Sequence, residues 1–196
     1  MKLETPDPVD SRIAQRVHAL RSAQGLSLES LAARSGVSRS MISRIERGQS
    51  SATAVLLEKI ATALDVPLAT LFNAPTAAAD PVARHAAQSV WRDPASGYVR
   101  RNVSPAGLAA PLQIVEVTFP AQARVAYETG ARPTRIHQQV WVLEGRIEVT
   151  LGRQCHRLDT GDCLAFDLDQ PTLFHNPTRE AARYAVVLAG ERVTHG

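Results

Sequence analysis

The sequence contains only two cysteines and few aromatic residues. Cys155 and Cys163 are too few for a disulfide framework and do not form the C-x-x-C pair of a metal site, so we expect two reduced, half-buried thiols. Aromatic residues make up 5% of the chain, and aliphatic side chains must therefore fill most of its core. With 196 residues, of which 44% are hydrophobic, the chain is long enough for one large domain or two small ones.

The sequence also lacks long apolar runs. No stretch approaches the roughly 18–20 consecutive apolar residues of a membrane-spanning helix. Residues 1–8 contain no apolar segment of the kind found in signal peptides. We therefore expect a cytoplasmic protein without a membrane partner.

Lysine is nearly absent, and arginine carries the positive charge. The net charge is +3, and all 22 basic residues except Lys2 and Lys59 are arginines. Residues 10–47 contain seven arginines but only three acidic residues. The planar guanidinium fork suits phosphate groups and guanine edges, which makes this segment a candidate for contact with nucleic acid. A charge run is equally typical of an ordinary solvated surface.

The chain divides into an N-terminal helical part and a C-terminal β part. In residues 1–73, Ile13, Val17 and Leu20 follow one another at the spacing of an amphipathic helix. Residues 74–88 contain small residues and prolines, a composition typical of a linker. Five helices are predicted: one that ends at Gly25, three over residues 28–35, 39–47 and 53–64, and a short one after Pro67.

Residues 89–196 have the pattern of antiparallel β-structure. Short alternating or β-branched runs are separated by glycine-containing turns. About eight strands at this spacing favour a closed sandwich or barrel. The strands are predicted at residues 98–104, 112–119, 135–143, 146–151, 155–158, 163–166, 172–174 and 184–188.

Residues 28–48 carry the pattern of a helix-turn-helix. Ala32 allows two helices to approach closely, and Gly36 accommodates the turn between them. Val37, Ile42 and Ile45 anchor the second helix on its apolar side. Such a corner also occurs in plain helical bundles, but a serine- and arginine-rich exposed face is what base readout in the major groove requires. That face consists of Arg39, Ser40, Ser43, Arg44 and Arg47.

Residues 11–72 resemble the helix-turn-helix domain of the phage-repressor-like (XRE) family, above all in residues 38–48. The resemblance implies DNA binding and a pair between Glu46 and Arg21. Leu28 stands where many relatives have a polar side chain, and it can offer only its backbone N–H. The residues that the resemblance places at bases or phosphates are Ser27, Leu28, Ser38, Arg39, Ser40, Ser43, Arg44, Arg47, Gln49 and Ser50, with Ser51 beside them.

Residues 140–145, 159–162 and 170–176 resemble the two sequence motifs of the cupin family. The resemblance covers residues 132–176 and implies a barrel over residues 89–193. Metal-binding cupins carry histidines and a glutamate at positions that are occupied here by Arg132, Thr134, Gln138 and Thr172. None of these residues is a usual ligand of transition metals, so we expect no metal and no cofactor. His137 and His175 fall outside the ligand register, and strand alternation predicts that both lie on the surface.

The interior of the predicted barrel is a candidate ligand pocket. Hydrogen-bonding side chains among apolar ones are the usual composition of a small-molecule site. The alternative is that these polar groups satisfy one another. An anionic effector is one candidate, held by Arg132 or Arg135. The predicted lining is Arg132, Thr134, Gln138, Val140, Phe166, Thr172 and Phe174.

Together these features predict an α+β multidomain fold. An N-terminal all-α, five-helix helix-turn-helix domain (residues 1–73) is joined by a linker (residues 74–88) to a C-terminal all-β cupin jelly-roll barrel (residues 89–196). The predicted function is a transcriptional regulator, not an enzyme. A homodimer would bind double-stranded, pseudo-palindromic operator DNA, and the cupin domain would dimerise and sense an unknown small molecule. The alternative is a cupin enzyme of the iron-dependent epoxidase or dioxygenase type, but that chemistry needs two histidines and one carboxylate.

Overall fold

The computed structural model describes residues 8–72, 80–106, 112–128 and 134–192. Four α-helices lie in these residues, followed by short 3-10 helices and by strands. The predicted fifth α-helix is wrong: Leu68–Phe72 is a 3-10 helix, in which the N–H of Thr70 bonds to the carbonyl of Pro67. No described helix is long and apolar enough to cross a membrane. The α-helices are α1 (Pro8–Ala23), α2 (Leu28–Ser35), α3 (Arg39–Glu46) and α4 (Ala54–Ala63).

Side-chain caps determine where the helices begin. The hydroxyls of Ser27, Ser38 and Thr53 accept hydrogen bonds from the first turns of α2, α3 and α4. Gly36 ends α2 with φ +67°, a conformation that favours glycine. The predicted limits of α2 are confirmed. The limits of α3 and α4 differ by one residue because the predicted end residues are caps.

Ten strands form the C-terminal part of the described chain, two more than predicted. The additional strands, β1 and β4, have three and four residues, too few for an alternating pattern to stand out. The strands are β1 (Val90–Arg92), β2 (Val99–Asn102), β3 (Leu112–Phe119), β4 (Arg124–Tyr127), β5 (Thr134–Glu144), β6 (Arg146–Leu151), β7 (Gln154–Asp159), β8 (Cys163–Asp167), β9 (Thr172–His175) and β10 (Ala182–Arg192).

The strands pair antiparallel in two sheets. Six strands follow the order β1-β2-β3-β10-β5-β8, and four follow β4-β9-β6-β7. Two antiparallel sheets that enclose one apolar interior are the architecture of jelly rolls and cupins. The chain is therefore a mixed helical and β protein, with an N-terminal helix-turn-helix and a C-terminal β domain similar to a cupin.

Side chains alternate between the two faces of β5. Trp141 points outward and is 50% exposed, and His137 lies on the same outer face beside the carboxylate of Asp167. His175 on β9 also faces away from the interior and hydrogen-bonds Glu148. The inward, buried members of β5 are Ile136, Gln138, Val140 and Val142.

The two cysteines are exposed, so the expectation of half-buried thiols is wrong. Cys155 lies on β7 and Cys163 on β8, and both thiols are free. Each of these strands is the edge of its sheet. An edge strand has a neighbouring strand on one side only, so a side chain on it has fewer cross-strand neighbours to cover it.

The helical part packs directly on the β domain. A carboxylate oxygen of Asp93 accepts a 2.8 Å hydrogen bond from the backbone N–H of Ala54, in the first turn of α4. Asp65 accepts bonds from the backbone N–H and the hydroxyl of Thr134 (3.1 and 2.8 Å). These bonds join the two parts in addition to the predicted linker, of which residues 74–79 lie outside the described residues.

Candidate nucleic-acid interface and barrel cavity

Helix α3 presents a polar face to solvent. Ile42 and Ile45 are buried against the other helices and fix the orientation of α3. Because residues three and four apart share a face of a helix, the remaining side chains point outward together. The exposed side chains are Ser38, Arg39, Ser40, Arg44 and Arg47, with Ser43 half-buried among them.

Arg39 is ion-paired in the free protein. Its guanidinium contacts the carboxylate of Glu29 on α2, and both side chains are about two-thirds exposed. A backbone hydrogen bond at the start of α2 lowers the pKa of Glu29, with smaller contributions from Ser27 and Arg39. The pair holds Arg39 against α2, so a contact between Arg39 and a base competes with this ion pair.

The predicted phosphate contacts surround α3. Ser27 is exposed and caps α2, whereas the side chain of Leu28 is half-buried against the core. Gln49 is exposed, and the hydroxyl of Ser50 points back to the sulfur of Met41 (3.9 Å). The start of α2 and the loop after α3 thus flank the exposed polar face of α3.

Glu46 forms a shielded ion pair with Arg21, as the family resemblance implies. Two nitrogens of Arg21 donate to the two carboxylate oxygens at 2.6 and 2.8 Å, and His18 lies 3.0 Å from one of them. Burial raises the pKa of the Glu46 carboxyl, but hydrogen bonds and charge from Arg21 and His18 outweigh it, so the pKa is lowered. Glu46 therefore joins α3 to α1 and does not belong to the exposed face.

A cavity lies inside the β domain, between its two sheets, and the helical part contributes to one side of its wall. Its water-accessible volume is about 60 Å³. Its walls are mainly apolar, with a few polar groups between them. The lining residues of the β domain are Tyr98, Arg100, Val117, Phe119, Val125, Tyr127, Gln138, Leu168, Thr172, Phe174, Tyr184, Val186 and Leu188, and those of the helical part are Glu58 and Leu68.

Three of the predicted pocket residues line this cavity: Gln138, Thr172 and Phe174. Thr134 is not among the residues that line the cavity, and its backbone N–H and hydroxyl bond to Asp65 of the helical part.

Two further predicted pocket residues, Val140 and Phe166, lie beside the cavity wall rather than in it. Val140 is completely buried, and Phe166 is half-buried and packed against the core, but neither is among the residues that line the cavity. Strand parity gives the face of the sheet, whereas neighbouring side chains decide which inward residues reach the open space. Arg132 lies outside the described residues, and Arg135 pairs with Asp167 on the outer surface.

Sequence reasoning missed Arg100, which is 6% exposed and lines the cavity. Tyr98 is buried two residues earlier, so alternation along this segment places Arg100 on the same inner face. Two consecutive arginines in a strand also require one of them to point inward. The arginine pair at residues 100–101 would therefore have predicted an inward-facing arginine from the sequence.

The cavity does not match a transition-metal site. Gln138 and Thr172 supply amide and hydroxyl groups, whereas such metals prefer imidazole, thiolate and carboxylate ligands. Among the described residues, no group of three His, Cys, Asp or Glu side chains is arranged to hold a metal. The lining fits an organic molecule better than a metal ion.

Comparisons with known proteins agree with this architecture. The helix-turn-helix family HTH_3 matches residues 17–71. The chain is 26% identical over 165 residues to the HTH-type transcriptional regulator SutR of Escherichia coli K12, covering 84% of this chain and 87% of SutR. It is 42% identical over 62 residues to the regulator SinR of Bacillus licheniformis, covering 31% of this chain and 56% of SinR.

A solved structure matches nearly the whole chain. The crystal structure of an HTH_3 family transcriptional regulator from Vibrio cholerae has a TM-score of 0.75 and 30% sequence identity. The match covers 94% of this chain and 98% of that one, and so includes both the helical part and the β domain. The chain belongs to the HTH_3 (XRE-type) helix-turn-helix family of transcriptional regulators.

Proposed function

We propose that this regulator binds double-stranded, pseudo-palindromic operator DNA as a homodimer in the cytoplasm. We further propose that a small molecule in the cavity changes its affinity for the operator. The observation that carries the proposal is the exposed arginine and serine face of α3, on a helix whose opposite side is buried. Arginine recognises guanine through paired hydrogen bonds, and serine can donate or accept a hydrogen bond at the edges of the bases.

The six-stranded sheet supports the proposed homodimer. Its outer face carries the half-exposed Trp141, which lies beside Ala185 in the pairing of β5 with β10. Val187 and Ile114 form the next row on the same face. A large apolar side chain in such a row fits burial against a second copy, and two-fold symmetry would present two α3 helices to half-sites about 34 Å apart.

We infer the domain division that the sequence predicts. Residues 1–73 form the DNA-binding domain, residues 74–88 the linker and residues 89–196 the sensing and dimerisation domain. The change from helices to antiparallel strands between Phe72 and Val90 supports this division. Both domains contribute to the cavity wall, so a bound molecule would contact the sensing and the DNA-binding domain at once.

Arg44→Ala tests the proposed DNA contact. Arg44 is exposed on α3, and loss of one bidentate base contact should weaken binding to operator DNA by about 1–3 kcal/mol and relax base preference. Operator fragments selected from a random library would be measured by fluorescence anisotropy against random DNA. Arg153→Ala is the matched control, because Arg153 is also exposed but lies in the turn between β6 and β7. Equal discrimination by Arg44→Ala and the wild type would refute the placement of α3 in the groove.

A further inference from the structure

Arg100 lies on the cavity wall with hydrogen-bond donors that no described residue accepts. Its Nε and Nη2 atoms are buried and, among the described residues, have no acceptor. The guanidinium carbon lies 5.2 Å from the centroid of the Phe72 ring, and this cation–π contact offsets part of the cost of burial. Buried N–H groups without an acceptor are destabilising, so the site gains free energy when a ligand supplies one.

Three tyrosines add neutral donors to the same cavity. Tyr98, Tyr127 and Tyr184 line it, and the hydroxyl oxygens of Tyr98 and Tyr127 lie 3.3 Å apart. Burial raises the pKa of each tyrosine above its ordinary value, so the hydroxyls stay protonated at neutral pH. A protonated hydroxyl can donate to an anion.

We propose that the cavity binds a small organic monocarboxylate with an apolar body, whose carboxylate accepts paired hydrogen bonds from Arg100. The fork of a guanidinium matches the two oxygens of a carboxylate. The apolar walls, which include Val117, Phe119 and Leu188, suit a hydrocarbon or aromatic body. A single carboxylate matches the one guanidinium that the described lining of the cavity presents.

The ligand would contact the DNA-binding domain directly. Leu68 and Glu58 belong to the helical part, and Phe72, which lies under the Arg100 guanidinium, ends the same 3-10 helix as Leu68. A ligand that fits one arrangement of the two domains better than another shifts the population of that arrangement. This consequence rests on the proposed function, whereas binding of the carboxylate does not.

The experiment measures binding without DNA. Acetate, butyrate, hexanoate and benzoate are titrated into the full-length protein by calorimetry, each beside its neutral amide. We expect at least one carboxylate to bind and its amide to bind about 10- to 100-fold more weakly, because the amide lacks the charge that Arg100 recognises. Arg100→Gln should weaken binding of the carboxylate by a similar factor. Arg101→Gln, the adjacent arginine on the opposite face of β2, should leave binding unchanged.

A second measurement tests the site if the Arg100→Gln protein fails to fold. In the wild type, the NMR signal of the Arg100 Nε–H, assigned by its loss in Arg100→Lys, should move when the carboxylate binds. The proposed carboxylate site is wrong if the carboxylate and its amide bind equally, if no acid binds, or if the Arg100 signal does not move. A carboxylate that binds at Arg100 and leaves the affinity for selected operator DNA unchanged overturns the coupling. Failure of the protein to bind DNA at all refutes the proposed function instead, since carboxylate binding is measured separately.

Discussion

Glu46→Ala should destabilise the helical domain before it affects DNA binding. The wild-type carboxylate accepts two hydrogen bonds from Arg21, and the two side chains are 8% and 13% exposed. Removal of the carboxylate leaves the Arg21 guanidinium with the carbonyl of Leu26 as an acceptor at 2.7 Å. Loss of two charge-assisted bonds, partly offset by that carbonyl, should lower the free energy of unfolding by about 2–4 kcal/mol.

The assay separates stability from binding. For a chain of this size, the expected loss corresponds to a fall in Tm of about 5–15 °C by calorimetry. DNA affinity of Glu46→Ala, measured well below its Tm, should stay close to the wild-type value. Glu29→Ala is the control, because the Glu29–Arg39 pair is exposed and its loss should leave the Tm nearly unchanged. An unchanged Tm together with lost DNA binding would show that Glu46 acts at the DNA.

The pH dependence of stability gives a second check on the role of Glu46. The pKa of Glu46 is lower in the folded protein than its ordinary value of 4.5. Its contribution to stability is therefore complete above that ordinary value and is lost as the pH falls through the folded pKa. The difference in Tm between wild type and Glu46→Ala should shrink in this acidic range. A difference that grew on acidification would contradict the sign of the shift.

Three further predictions concern DNA affinity and the cavity. Arg47→Ala should weaken operator and random DNA alike and reduce the salt slope of log Kd by about one, as measured by titration in increasing salt. Glu29→Gln should free Arg39 and strengthen DNA binding about two- to fivefold, whereas weaker binding would show that the ion pair positions Arg39 for the DNA. Gln138→Leu should abolish the effect of a bound ligand on operator affinity. His137→Ala should leave that effect unchanged, because His137 faces outward. The reverse result would place His137 in the pocket.

Local chemistry is sufficient to predict the helix-turn-helix. A hydroxyl before each helix, a glycine in the turn and apolar residues at helical spacing act over a few neighbouring residues, and α2 begins and ends where these signals place it. Period-two alternation likewise predicts that Gln138 faces inward and His137 outward. The 3-10 helix after Pro67 differs from the prediction because a segment of five residues satisfies either helical pattern.

Only the tertiary structure brings the cavity together. Arg100 on β2, Glu58 on α4 and Leu68 on the 3-10 helix are distant in sequence, and no local pattern specifies that they meet. The same holds for Asp93, which accepts a hydrogen bond from the first turn of α4 across 39 positions of the chain. Helical periodicity and strand alternation specify which face of an element is buried. Which other element covers that face depends on the packing of the whole chain, and this packing places the helical part on the wall of the cavity.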